Sequence, residues 1–250
     1  MLIPLRDENP RVIVPYVTFA IIALNVLAFL FQLGLGFDAV SRYQLTLSYG
    51  LIPATFSNVS EEEIVRAHEQ HLSKIVKQRV QLNARPRSPL ITLFTSMFMH
   101  GGIMHLVWNM WSLWIFGDNV EGVLGHRRYA LFYLLSGVAA GLTQVMIDMT
   151  SILPMVGASG AIAGVLGAYM ITFPRAKVIA WWPFFLWFGP TMSLPAVYYL
   201  GFWFLIQLTN GFTMIGFNTT GGVAWFAHIG GFAAGVILVR LLRMITFEKA

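Results

Sequence analysis

Long apolar runs, separated by short polar segments, occupy most of the chain and predict membrane-spanning helices. A helix needs about 20 mostly apolar residues to cross the hydrocarbon core of a bilayer. The pattern predicts six spans, at residues 16–35, 93–117, 129–147, 159–173, 195–208 and 222–242. We therefore predict an all-α polytopic membrane protein, a bundle of six transmembrane helices with a long first loop at residues 36–92.

The apolar stretch before the fifth span contains Pro183, Pro190 and Pro195. Proline removes a backbone hydrogen-bond donor and interrupts helices. We therefore predict an interfacial loop, rather than a helix, for the residues that precede the fifth span.

Composition supports a membrane protein. Hydrophobic residues make up 57% of the chain and charged residues only 11%, whereas soluble domains are about 25% charged. The chain contains no cysteine, which excludes disulfides and thiolate metal sites. The net charge of +5 could indicate nucleic-acid binding, but the basic residues flank the apolar runs. This placement is typical of membrane proteins, and we predict no nucleic-acid partner.

The basic residues also predict the orientation in the membrane. Nine of the 16 Lys and Arg residues lie at one set of span ends, as Arg6, Arg11, Arg127, Arg128, Arg175, Lys177, Arg240, Arg243 and Lys249, and the other seven lie in the long first loop. The opposite short loops, residues 148–158 and 210–221, contain no Lys or Arg. Cytoplasmic loops carry the excess of Lys and Arg, whereas long loops cross the membrane largely regardless of charge. Residues 1–14 and 243–250 are therefore predicted to be cytoplasmic, and the first loop extracytoplasmic.

A charged helix is predicted inside the first loop. Ser60 and Glu63 have the spacing of a capping box, in which each residue satisfies the other's backbone N–H. His68 and His71 on this helix could be metal ligands, but no third ligand stands nearby in the sequence. We predict that both histidines are solvated on an exposed helix.

Polar side chains inside the spans are costly in a bilayer and mark candidate functional sites. His105 and Asn109 are four residues apart, so they lie on one helix face and could donate hydrogen bonds to an oxyanion. They could equally hold two helices together by hydrogen bonds. His100 is predicted to order the turn at Gly101 and Gly102.

Ser159 and His228 each sit in a stripe of small residues, and both stripes contain a GxxxG motif, Gly160–Gly164 and Gly231–Gly235. Such stripes let membrane helices approach closely. Packing of the two stripes would bring serine and histidine together as an activated nucleophile; alternatively, the stripes are packing seams only. The last four spans contain no Asp or Glu. The machinery would therefore be a dyad, with the histidine oriented by packing or by a neutral hydrogen bond.

Five segments, in this order along the chain, resemble the rhomboid family of intramembrane serine proteases: "PLRDENP", "HGGIMHLVWNM", "FGDNVEGVLG", "GASG" and "AHIGGFAAG". The resemblance implies one rhomboid-like membrane domain over residues 1–250. It implies that Ser159 is the nucleophile and His228 the general base. It also implies an oxyanion hole made by His105, Asn109 and the Ser159 backbone N–H, with His100, Gly157 and Gly160 supporting the site and no metal or cofactor.

The resemblance further implies that Glu121, beside the second span, links the cytoplasmic ends of helices, and that residues 193–208 form a helix that gates substrate entry. Three features differ from many members of the family. Ile91–Thr92 replaces a Trp-Arg pair, Ala163 replaces an aromatic residue that stacks on the histidine, and the charged helix lengthens the first loop. Without that aromatic residue, His228 is expected to be oriented by Trp225, by Phe226 or by packing alone.

The function implied by the resemblance is peptide-bond hydrolysis in or near transmembrane segments of membrane proteins, in a bacterial inner membrane. The partners would be transmembrane protein substrates and the lipid bilayer; the sequence does not indicate an oligomeric state. Two other classes stay open. A catalytically silent relative would bind or chaperone transmembrane helices, and a small-solute transporter would use the proline-broken segment as a discontinuous helix.

Overall fold

The computed structural model describes residues 2–35, 39–76, 82, 84–183, 189–217 and 223–247. Within this part of the chain, the elements are β1 (Ile3–Asp7), α1 (Tyr16–Gly34), α2 (Ala39–Tyr49), α3 (Glu61–Val76), α4 (Pro89–Thr95), α5 (Ile103–Leu124), α6 (His126–Ile147), α7 (Ser159–Thr172), β2 (Lys177–Trp181), β3 (Thr191–Pro195), α8 (Ala196–Phe217) and α9 (Trp225–Phe247). Short 3-10 turns lie at Pro53–Phe56 and Ser96–Phe98.

Six helices, α1 and α5 to α9, form the bundle of this all-α polytopic membrane protein. The central helix is α7, which packs against α5, α6, α8 and α9 and is buried over most of its length. Three segments are long and apolar enough to span a membrane by themselves, at Tyr16–Gly34, His126–Ile147 and Trp225–Met244. The helix α7 is apolar but shorter.

The predicted second span, residues 93–117, is wrong at both ends. The chain bends by 82° between α4 with its 3-10 turn and α5, and α5 continues to Leu124. At the bend, the side chain of Gln32 accepts from the backbone N–H of His100 at 3.0 Å and donates to its carbonyl at 3.2 Å. These bonds replace the helical partners of the His100 backbone, and they order the turn in which His100, Gly101 and Gly102 lie.

The region around the fifth span also differs from the prediction. The helix α8 starts at Ala196 and extends to Phe217, well beyond residue 208. Instead of an interfacial loop, β2 and β3 pair antiparallel, and β1 adds to the other edge of β2. The five-residue strands are too short to leave a periodic signal in an apolar region, and residues 184–188 of the connection lie outside the described residues.

The strand β1 is held on the bundle by side chains of α5 and α7. Trp111 donates to the Pro4 carbonyl at 2.6 Å, Asn119 donates to the Asp7 carboxylate at 3.0 Å, and the Tyr169 hydroxyl donates to it at 2.5 Å. Burial raises the pKa of the Asp7 carboxyl. Together with the pairing of β1 and β2, these bonds place the N-terminal segment and the α7–α8 connection at the same end of the bundle.

Glu121 lies within α5 rather than beside it, and its side chain is fully buried. It accepts from the backbone N–H groups of Val17 at 2.9 Å and Thr18 at 2.7 Å, and it bonds His126 Nδ1 at 2.6 Å. A buried carboxylate is tolerated when its oxygens are satisfied in this way. Glu121 therefore links α5 to α1 and α6, as expected.

The first loop is folded around a small core of its own, made by Leu47, Ile52, Ala54, Ile64 and Leu82. The capping box of α3 is confirmed, because Glu63 accepts from the Ser60 N–H and hydroxyl, both at 2.9 Å. The prediction of a solvated His68 is wrong. Four residues after Ile64, it lies on the buried face of α3 and bonds the Tyr43 hydroxyl at 2.6 Å and the Ile152 carbonyl at 2.9 Å. The side chain of His71 lies outside the described residues.

Candidate active site

Ser159 and His228 meet at the end of the bundle opposite the β-sheet. Ser159 is the first residue of α7, and His228 lies in the first turn of α9. The Ser159 Oγ and the His228 Nε2 are 2.8 Å apart. This distance is within hydrogen-bonding range, so the imidazole is placed to take a proton from the hydroxyl.

The close approach of α7 and α9 depends on glycines that face each other. A side chain on Gly231 would overlap the carbonyl oxygen of Gly160, and one on Gly235 would overlap that of Gly164. Because backbone touches backbone along this seam, the hydroxyl at the start of α7 comes within reach of the ring on α9. The predicted small-residue seam is thus confirmed, and it carries the Ser159–His228 pair at its end.

Gly157 lies directly against the His105 ring, beside the serine. Its φ of +131° is a conformation that L side chains rarely adopt. A Cβ on Gly157 would lie 2.9 Å from the Nε2 of His105 and 3.5 Å from the Ser159 Oγ. A side chain at this position would therefore overlap the His105 ring, so the ring can lie here only because residue 157 is glycine.

The Nε2 side of the His105 ring faces Gly157. The backbone N–H of Gly101 points at its Nδ1, at 3.5 Å, so in a neutral ring the proton sits on Nε2. The Asn109 amide donates to the His105 carbonyl at 2.9 Å, and its NH2 group has a second hydrogen. The His100 ring packs edge-on against the His105 ring, with centroids 5.2 Å apart. The ring of His100 is therefore placed beside the ring of His105.

Two side chains that the sequence reasoning did not single out hold His228 from α8. The Gln207 Oε1 lies 2.8 Å from the His228 Nδ1, and the Trp203 ring lies 5.9 Å from the imidazole, centroid to centroid. As expected, Trp225 contacts the imidazole edge-on at 6.3 Å, whereas Phe226 packs against Phe212 instead. The sequence feature that could have identified Trp203 and Gln207 is their four-residue spacing, which puts both side chains on one helix face.

Ser159, His228, His105 and Asn109 line a cavity of about 1480 Å³. Residues of α5 and α8, on the two sides of a gap between these helices, also line it. The helix α8 packs on α7 and α9 but barely touches α5. Among the described residues, no group of three or more His, Asp or Glu side chains could hold a metal ion. The four polar residues that the sequence analysis singled out in the spans, Ser159, His228, His105 and Asn109, therefore line one cavity.

Comparison with known proteins finds one family model and several relatives that the chain is similar to. A family model described as Rhomboid domain matches residues 87–245. RHOMBOID-like protein 6, mitochondrial, of Arabidopsis thaliana is 34% identical over 152 residues, which are 61% of this chain and 43% of that protein. Rhomboid protease GluP of Bacillus subtilis is 32% identical over 154 residues, 61% of this chain and 29% of that protein. The chain thus spans less than half the length of these relatives.

Proposed function

Because the chain belongs to the rhomboid family, we propose that it is a serine endopeptidase that hydrolyses peptide bonds in or near transmembrane segments of membrane proteins. The observation that carries the proposal is the 2.8 Å approach of the Ser159 Oγ to the His228 Nε2. Family membership alone does not decide activity, because a fold can be kept while its chemistry is lost. The two side chains that such chemistry needs are both present and in contact.

In the proposed reaction, the Ser159 Oγ attacks the substrate carbonyl carbon while its proton passes to the His228 Nε2. The carbonyl oxygen, now negative, accepts hydrogen bonds from His105, from Asn109 and from the Ser159 backbone N–H. The imidazolium then gives its proton to the leaving amine, and an acyl-enzyme remains. A water molecule, deprotonated by His228, hydrolyses this ester and restores the serine.

The fold supports a route for the substrate. The gap between α5 and α8 connects the side of the bundle to the Ser159 end of the cavity, so a transmembrane segment could reach the site sideways. To be cut, the segment has to unwind locally, because the hydrogen bonds of a helix shield its peptide groups in a bilayer. Substrates with helix-breaking residues near the site are therefore expected to be preferred.

The proposed orientation places both termini in the cytoplasm of a bacterial cell and the site near the outer face of the inner membrane. Residues 148–158, which precede Ser159, contain no Lys or Arg. The opposite end of the bundle carries Arg127, Arg128, Arg175 and Lys177. This distribution follows the bias of basic residues toward the cytoplasm, and it gives Ser159 access to water from the outer side.

The test compares purified wild type with Ser159→Ala and His228→Ala on a fluorogenic transmembrane substrate in detergent. We expect each variant to lose cleavage by about 10³-fold or more, as for other serine proteases that lose the nucleophile or the base. A fluorophosphonate probe should label wild type and spare Ser159→Ala. The matched control is Ser193→Ala, an exposed serine in β3, which should cleave like wild type.

A wild-type rate in either dyad variant would contradict the proposal. A protein that binds the transmembrane peptide, but neither cleaves it nor takes up the probe, would instead be a silent binder or chaperone of transmembrane helices.

A further inference from the structure

The hydrogen bonds of Gln207 determine which way its amide points. Its Nε2 donates to the Trp203 carbonyl at 3.1 Å, one turn earlier on α8. A carbonyl oxygen only accepts, so the NH2 group must be on that side. The Oε1 therefore faces His228, and Gln207 presents an acceptor to the Nδ1 at 2.8 Å. Both ends of this buried amide have a partner.

The acceptor on Gln207 fixes the tautomer of the neutral imidazole. An Nδ1 that faces an acceptor has to carry the proton, and the Nε2 is then left with its lone pair. That lone pair points at the Ser159 Oγ, 2.8 Å away. This is the tautomer that a histidine needs in order to accept the serine proton, and in the other tautomer the two groups could not exchange it.

We propose that Gln207 is a positioning residue that takes the orienting role of the acid in a Ser-His-Asp triad by means of a neutral amide. The proposal rests on the proposed function of Ser159 and His228. During the attack, the serine proton moves to Nε2 while the Nδ1 proton stays in its bond to Gln207, so the imidazolium keeps a partner at both nitrogens. No carboxylate in α6 to α9 could do this, because these helices contain no Asp or Glu.

The placement of Gln207 ties the base to one particular helix. Gln207 and Trp203 both come from α8, which borders the gap to α5, whereas Ser159 and His228 belong to α7 and α9. The glycine contacts between α7 and α9 therefore hold Ser159 close to His228, whereas the orientation of the His228 ring depends on α8, which is not part of those contacts. A change in the position of α8 would release the Nδ1 of His228 without separating Ser159 from His228.

The test uses Gln207→Met, which keeps the length of the side chain and removes the acceptor, and Gln207→Glu, which keeps an acceptor at the same reach. We expect Gln207→Met to lower kcat about 10- to 100-fold, which is less than the full contribution of a general base. KM should be unchanged, because Gln207 acts through His228 and does not contact the substrate. Gln207→Glu should recover most of this loss. The control is Thr209→Val, an isosteric loss of an exposed hydroxyl on the same helix, which should leave kcat unchanged.

The second measurement does not depend on activity. Histidine ¹⁵N chemical shifts distinguish the two neutral tautomers, and comparison with His228→Ala assigns the signal. We expect the Nδ1–H tautomer in wild type and in Thr209→Val, and its loss in Gln207→Met. If Gln207→Met does not fold, the tautomer of His228 in wild type and the kcat of Gln207→Glu still test whether Gln207 orients His228.

A Gln207→Met variant with wild-type kcat and an unchanged tautomer would overturn the positioning role. In that case, probe labelling of wild type and its loss in Ser159→Ala would still support Ser159 as the nucleophile, so the proposed function would be retained. Conversely, if the probe does not label wild type, the proposed function fails, and the tautomer comparison still supports or rejects the role of Gln207 toward His228.

Discussion

The carbonyl oxygen of Gly164 occupies the space that a side chain on Gly235 would need. The contact joins the middle of α7 to the middle of α9, five residues after Ser159 and seven residues after His228. In a bilayer, close backbone packing of this kind replaces the hydrophobic effect as a source of helix association. The spacing of the two site residues is therefore set by residues that take no part in the chemistry.

The glycine seam predicts a strong effect of a single methyl group. Gly235→Ala should destabilise the protein by about 1–3 kcal/mol, the usual cost of overpacking a filled interface, and should lower cleavage because α7 and α9 move apart. Gly201→Ala is the matched control, since a Cβ at this helical position meets nothing within 4 Å. Thermal unfolding and cleavage assays in the same detergent measure both effects. Equal melting temperatures for the two variants would contradict the role of the seam.

A methyl group on Gly157 should displace the His105 ring. Its Cβ would lie 2.9 Å from the His105 Nε2, too close for the ring to keep its place, in a backbone conformation unfavourable for alanine. We expect Gly157→Ala to lower kcat by about 10²- to 10³-fold, as for the loss of an oxyanion donor. Gly102→Ala is the control, because it lies near the site with open space around its Cα. Comparable kcat values for these two variants would show that the place of the His105 ring beside Gly157 does not matter for cleavage.

The buried His68 predicts a link between the first loop and the loop before Ser159. His68→Ala removes the ring that bonds both Tyr43 and the Ile152 carbonyl. We expect faster amide hydrogen exchange in residues 148–158, and a loss of stability of about 1–3 kcal/mol. Gln70→Ala, an exposed position on the same helix, should exchange like wild type. Unchanged protection in His68→Ala would mean that the loop is held without this contact.

The capping box of α3 predicts a pH dependence in the first loop. Hydrogen bonds from the Ser60 N–H and hydroxyl lower the pKa of Glu63. Because the folded-state pKa lies below the unfolded one, the stabilisation is present above the unfolded pKa and is lost as the pH falls through the folded pKa. Ser60→Ala removes one of the two bonds, so the pKa of Glu63 should rise toward its ordinary value. An NMR titration of the Glu63 carboxyl measures this, and Ser193→Ala, remote from α3, should leave the titration unchanged.

The sequence predicted the bundle and the dyad because both leave local signals. Apolar runs of bilayer length, glycines at GxxxG spacing and a serine and histidine within those stripes can each be read along the chain. Such signals do not report how a helix is interrupted or extended. The bend before α5 depends on Gln32, which lies 68 residues away from His100 in the sequence, and the strands β1 to β3 are too short to show a period.

The sequence by itself thus indicated the class of the protein, the main spans and a candidate serine and histidine, because the cost of polar groups in a bilayer restricts where they can occur. The tertiary structure decided that Ser159 and His228 are in contact, how His228 is held and where His68 points. Gln207 and Trp203 orient an imidazole on another helix, and His68 reaches a loop 84 residues away. Such contacts depend on the relative rotation and tilt of whole helices, which no local pattern encodes.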